Sequence, residues 1–388
     1  MRPAALAPAL AALVLSAACR KDAPVAHRPA PVAQRTDPSQ RFVDAWRASR
    51  DGHADEALGL LEALDRDGWD LPVDPGDFPA LAGRPELAAL VARVAARAPR
   101  TALSEIAVTL PEQGLIPEGI AADPRDGTIY VGSIARRKIV RVSPAGEARD
   151  FVPEGTPGLG EVLGLEVDVR RGILWAASNA RKGEPPRSAL HAFDLATGAE
   201  RRAAAIAAAG HLLNDVAVGD DGTVFVTDSD AGLVHRLAPG TSALVTLPAS
   251  FREPNGIALV DGRLVVADSS GLTALDGTGA ATPLVAPTFF PLGGIDGLSA
   301  RGRTLVAIQN ALGTARILRI DLSPGATAVV RADVVEAGNP LWSIPTTGDL
   351  LGEAFLYVGN SHLEAHEGSE VAPPGRVATR IHRLRPFP

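Results

Sequence analysis

The 388-residue chain has a single cysteine, Cys19, so no disulfide can form within it. Lysine occurs only at Lys21, Lys138 and Lys182, and the arginines that supply the remaining positive charge form no cluster. With a net charge of −7 and a pI near 5.7, the absence of a basic cluster argues against a nucleic-acid footprint. Nor is there an apolar run long enough to cross a bilayer comfortably; the one from Pro3 to Ala18 is too short.

That run has Arg2 ahead of it and small residues behind it, the form of a secretory signal over residues 1–18. Ser16-Ala17-Ala18 leads directly into Cys19, which resembles a bacterial lipobox with Ser16 where leucine is usual. The expectation is an exported protein lipidated at Cys19. It would be anchored on the periplasmic side of the outer membrane, or soluble in the periplasm if cleavage is ordinary.

Residues 19–38 are rich in Pro and Ala, have no apolar period, and read as a tether. From Ser39 to Arg100 the pattern is helical. Phe42, Ala45 and Trp46 lie at i, i+3 and i+4, and Ala57, Leu58, Leu61 and Leu64 repeat the stripe. Asp51-Gly52 breaks the two segments into a hairpin resembling one tetratricopeptide unit, and "RPELAALVARVAARA" predicts a third helix. One such unit is too small for a solenoid, so it is expected to be a helical cap or docking module for a protein partner. Its removal is expected to leave the rest folded.

Over 101–388 the texture becomes short alternating strands punctuated by Gly, Pro and Asp. One phrase recurs: "EGIAADPRDGTIYVGS" at 118, "LGLEVDVRRGILWAAS" at 163, "NDVAVGDDGTVFVTDS" at 214. It returns as "NGIALVDGRLVVADSS" at 255, "DGLSARGRTLVAIQN" at 296 and more faintly "TGDLLGEAFLYVGNS" at 347. Spacings of 45, 51, 41, 41 and 51 residues predict a six-bladed β-propeller, an all-β fold behind a small helical module. The sixth repeat runs out of chain after its third strand. The orphan strand "SEIAVTL", 104–110, is expected to complete it and close the ring.

In such a ring the first strand of each blade lines the axis. The six opening residues are Glu118, Leu163, Asn214, Asn255, Asp296 and Thr347, each followed by Gly except Asn214. Asn-Gly and Asp-Gly are also ordinary turn dipeptides. In-phase recurrence nevertheless predicts that Glu118, Asn214, Asn255 and Asp296 converge as an all-oxygen set. Such a set suits Ca²⁺ and offers zinc neither His nor Cys.

"PEGIAAD", "LNDVAV", "PNGIAL" and "GIDGLS", in that order, resemble the SMP-30/gluconolactonase/luciferin-regenerating-enzyme family of six-bladed propellers. Paraoxonases and strictosidine-synthase-like proteins are more distant likenesses. The resemblance spans residues 104–388 and excludes the helices. It implies a catalytic divalent metal, usually Ca²⁺, held by Glu118, Asn214, Asn255 and Asp296, with Asp296 also the general base. Leu163 stands where paraoxonases have a histidine, and Leu212 where gluconolactonases place a substrate-binding arginine.

Loops after the second strands return to the same mouth and bring Gln309, Asn310, Asn360 and His362 toward it; His211 precedes Asn214 by three residues. These five are the candidate substrate contacts. The expected activity is metal-dependent hydrolysis of a small lactone or ester. The alternative is a non-catalytic, envelope-anchored propeller that binds a ligand or a protein partner.

Overall fold

The computed structural model describes residues 37–363 and 378–387. Cys19, the signal and tether up to residue 36, and His366 lie outside the described residues. No described helix is long and apolar enough to cross a membrane.

Six four-stranded antiparallel sheets follow one another around an axis, one for each repeat. Their inner strands are Pro117–Ala122, Glu161–Asp168, Leu213–Val218, Ile257–Val260, Ile295–Arg301 and Gly348–Leu351, in blades 1 to 6. The sixth blade is closed by Glu105–Thr109, which pairs with Arg380–Leu384 in the register Glu105↔Arg383 and Thr109↔Arg380. The orphan strand thus supplies the missing edge.

Successive side chains of a strand point to opposite faces, and in this ring each face meets a neighbouring blade. Leu174 and Ala176 of blade 2 pack toward blade 1, whereas Trp175 and Ala177 between them pack toward blade 3. Each of the six junctions carries its own apolar core. Both faces are therefore dry, and inner and middle strands read as nearly continuous apolar runs.

Among the described residues three α-helices precede the ring: α1 (Pro38–Arg50), α2 (Ala54–Asp67) and α3 (Pro85–Arg97). Asp37 caps α1 by accepting from the Ser39 amide at 2.9 Å, and Pro38 pre-sets its first turn. Gly68, at φ 102°, ends α2 in the left-handed conformation. Phe42 stacks on Trp69 at 4.9 Å and meets Phe78 edge-on, forming the centre of the helical core.

The module is not a detached cap. Leu312 of blade 5 is buried within its core. Asp37 also accepts from the Leu292 amide at 3.1 Å, and Ser39 Oγ accepts from the Gly293 amide at 2.8 Å. A Cβ at Gly293 would sit 2.4 Å from that of Ser39, so the approach requires glycine. Arg316, almost fully buried in blade 5, donates to Asp70 at 3.0 Å.

Candidate functional site

The opening residues of four repeats sit on β-bulges. Register with the second strand slips between Pro117 and Ile120, Val162 and Leu165, Leu213 and Val216, and Ile295 and Leu298. The slipped pairs are Glu118-Gly119, Leu163-Gly164, Asn214-Asp215 and Asp296-Gly297. A bulge adds one residue opposite its partner and re-aims a side chain.

Close backbone approach then binds the blades into a circle. A Cβ on Gly119 would lie 1.8 Å from the Leu163 carbonyl oxygen, and one on Gly164 would lie 2.2 Å from that of Asn214. Likewise, Gly256 abuts Asp296 and Gly297 abuts Thr347. At the one non-glycine position, Asp215 instead accepts from the Ile257 amide at 3.1 Å. Thr346 Oγ1 donates to the Glu118 carbonyl at 3.0 Å and closes the circle.

Glu118, Asn214 and Asp296 are buried and Asn255 is half-buried. Among the described residues five buried side-chain oxygens lack a hydrogen-bond partner, and four are Glu118 Oε2, Asn214 Oδ1, Asn255 Oδ1 and Asp296 Oδ1. An unpaired buried oxygen costs on the order of 1–3 kcal/mol, so four on one circle need a common partner. The orientation of the Asn214 amide follows from its neighbour. Ser229 Oγ gives its hydrogen to the Pro254 carbonyl at 2.7 Å and can only accept from Asn214 Nδ2, at 3.1 Å. The carbonyl of Asn214 is left facing elsewhere. Four acceptor oxygens are thus left unpaired around the ring, and a hard divalent cation fits such a set.

Burial pushes Asp296 up to about 7, with hydrogen bonds from Asn310 and Asn255 opposing the rise. Burial raises Glu118 well above the usual carboxylate range, and the charges of Asp296 and Asp215 add to it. Deeper in the channel Glu166, Asp215 and Asp349 line one cavity. Burial likewise lifts Asp215 to about 8 and Asp349 to about 6, although each accepts two backbone amides. The axis concentrates acidic groups where a cation would be drawn in. Sequence reading missed these three because they fall outside the in-phase opening position.

The expected substrate contacts are placed differently from one another. Asn310 is buried beside Asp296, donating to its Oδ2 at 2.5 Å and to the Pro345 carbonyl at 2.9 Å. Gln309 is a correction. Its amide donates to Pro291 and Gly293 carbonyls while Arg316 donates to its oxygen, so it serves the helical dock and offers nothing to a ligand. Asn360 is buried too, donating to the Ala378 carbonyl and accepting from the Arg380 amide, which ties the ends of its own loop. His362 lies 3.3 Å from Asn360 with φ at 58°.

His211 Nδ1 bonds Asp228 Oδ2 at 2.6 Å, and His235 Nε2 bonds the same oxygen at 2.9 Å. One ligand atom from each of the three lies within 4.8 Å of the others. The other Asp228 oxygen accepts from the Leu212 and Ala231 amides. Burial opposes its ionisation, yet the two imidazoles hold Asp228 well below the carboxylate range. Two ring nitrogens that spend their hydrogens on one oxygen have no lone pair for a metal there. This cluster ties the loop before Asn214 to its blade.

The architecture matches solved structures. The PQQ-bound aldose sugar dehydrogenase from Streptomyces coelicolor aligns with 73% of this chain and 97% of its own, at 16% identity and TM-score 0.50. A putative oxidoreductase (glucose dehydrogenase) from Thermus thermophilus aligns with 72% and 99%, at 16% and 0.50. The chain is a six-bladed β-propeller. A gluconolactonase from Xanthomonas campestris aligns with 74% and 96%, at 17% and 0.48. No protein-family model and no curated protein matches this propeller by sequence. At these identities the likeness is one of fold.

Proposed function

We propose that this propeller is an exported, Ca²⁺-dependent hydrolase of a lactone or ester. Glu118, Asn214, Asn255 and Asp296 would hold the ion, and Asp296 would be the base. The observation that carries the reading is four buried, unpartnered oxygens at the opening positions of four repeats around one ring. The motif resemblance of residues 104–388 supports the reaction class, and the absence of His and Cys from the circle supports Ca²⁺ over zinc.

A divalent ion at this position supplies Lewis-acid polarisation of a carbonyl. The chain's own residues supply the rest. Asp296 would take the proton of an attacking water, and Asn310, donating to its Oδ2, keeps the carboxylate in one orientation. Ser229 holds the Asn214 amide so that its oxygen faces the circle. Leu163 and Leu212, where the resembled families place histidine and arginine, lie instead in an apolar cluster with Ile116 and Ile134. That substitution supports a less polar substrate than a sugar lactone.

The signal over residues 1–18 supports work in the cell envelope, with Cys19 as the lipid attachment. The second reading, a non-catalytic propeller that binds a ligand or partner at its mouth, is favoured by the helical module seated there. Metal analysis of the purified protein, then a lactone and aryl-ester panel with and without chelator, separates the two. Turnover that chelation removes and Ca²⁺ restores is expected. No turnover in any metal state would leave the binding reading.

A further inference from the structure

Helix α1 crosses the face of the ring where the oxygen set opens. Between it and blades 4 and 5 is a hollow of about 740 Å³, counting the space at its mouth. Phe42, Val43 and Trp46 form its helical wall, Ile295 and Leu312 its other side, and Asn255 and Asp296 part of its floor.

We propose that the helical module is the specificity wall of this site, selecting a lactone or ester whose alkyl or aryl group packs against Trp46 and Val43. The inference rests on the hydrolase reading for the reaction and on the hollow for the selectivity.

Three observations carry it. The wall is held in place: Phe42 is locked between Trp69 and Phe78, and Asp37 and Ser39 clasp the Leu292 and Gly293 amides. Trp46 is half-buried, packs against the helical core and has Arg50 5.1 Å from its ring centroid. It therefore presents a large, braced apolar surface beside Asp296, which substrate burial would remove from water. Elsewhere on the circle Leu163, with Leu212 and Leu363 packed nearby, forms another apolar surface. Apart from Asp296 on the floor, the charged residues of the hollow are Arg47 and Glu253, both exposed, so their charge belongs to its rim. Asn310, which could have greeted sugar hydroxyls, spends its amide hydrogens on Asp296 and Pro345.

The test uses the full chain loaded with Ca²⁺. Its probes are γ-lactones with alkyl tails from methyl to octyl, gluconolactone, and a hexyl γ-lactam that resists hydrolysis. Wild-type kcat/KM should climb about fourfold per methylene until the hollow is full, the equivalent of about 0.8 kcal/mol each. Trp46→Ala should flatten that climb, lowering kcat/KM for the octyl lactone by a much larger factor than for the methyl lactone, and Trp46→Phe should restore most of the climb. The hexyl lactam should perturb tryptophan fluorescence in the wild type and lose that signal in Trp46→Phe.

Lactam binding that depends on Trp46, without turnover of any lactone, would sustain the wall and reject the hydrolase. Turnover with an identical tail-length profile in wild type and Trp46→Ala would sustain the hydrolase and overturn the wall. A preference for gluconolactone over every tailed lactone would also overturn it.

Discussion

The side-chain amide of Asn310 donates to Oδ2 of Asp296 at 2.5 Å, leaving Oδ1 of that carboxylate buried without a hydrogen-bond partner. One oxygen is braced and the other is presented. Asn310→Leu removes the brace without touching the presented oxygen. Because outer-shell partners of metal ligands typically set 10–100-fold in affinity, Ca²⁺ binding should weaken by about 10-fold. Calorimetric titration of the variant checks this, and unchanged affinity would show that Asn310 does not orient Asp296.

Asp296→Asn keeps an oxygen on the circle but removes the base. Hydrolysis should fall by about 10²–10⁴-fold while weakened Ca²⁺ binding persists. Glu118→Gln should act mainly through the metal, so excess Ca²⁺ should recover part of its activity. Steady-state rates across a Ca²⁺ series distinguish the two. Full turnover by Asp296→Asn would remove it as base.

The raised carboxylates fix the sign of a pH effect. Without metal, burial holds Asp296 protonated up to about 7 and Glu118 well above its ordinary range. The unfolded chain releases the same protons near pH 4. The folded state therefore binds more protons between about pH 4 and 7, and its stability falls as pH rises through that window. Ca²⁺ competes with those protons, so its affinity should rise over the same window. Melting curves at pH 5 and pH 7, in chelator and in Ca²⁺, should show stabilisation by Ca²⁺ that is larger at pH 7. Equal stabilisation at both would contradict the coupling.

Arg316 is 1% exposed and its carboxylate partner Asp70 is 30% exposed. Burial pulls the guanidinium down from its usual range, and Asp70 opposes that fall. Removing the partner of a dry charge costs roughly 3–5 kcal/mol; with Asp70 partly wet, about 2 kcal/mol is expected for Asp70→Ala. A chain starting at Thr101 should melt well below the whole protein, since it uncovers Leu312 and strands Arg316. An unchanged melting temperature for both would return the helices to the role of a separable cap.

The circle was legible because its members occupy one phase of a repeat, and the closing strand because the last repeat is one strand short. Periodicity could not show that Glu118, Asn214 and Asp296 ride on bulges, since a bulge is a local slip in pairing. The two neighbours Gln309 and Asn310 show the limit of resolution. Adjacent residues of an extended chain point to opposite sides, so one braces Asp296 and the other the helical dock. The docking of α1 was hidden for a related reason. Its amphipathic stripe marks the buried face of the hairpin, whereas the module meets the ring through Asp37 and Ser39, through Leu312 entering its core and through Asp70.

The most direct test of the central claim is calorimetric titration of Ca²⁺ into chelator-stripped protein, with melting temperature read in parallel. One ion per chain is predicted, with stabilisation of about 2.7 kcal/mol at 100 times Kd, a weaker response to Zn²⁺, and loss of the signal in a Glu118→Gln/Asp296→Asn double variant. No heat and no stabilisation in the wild type, or an unchanged isotherm in the double variant, would contradict the assignment of the four oxygens to a metal.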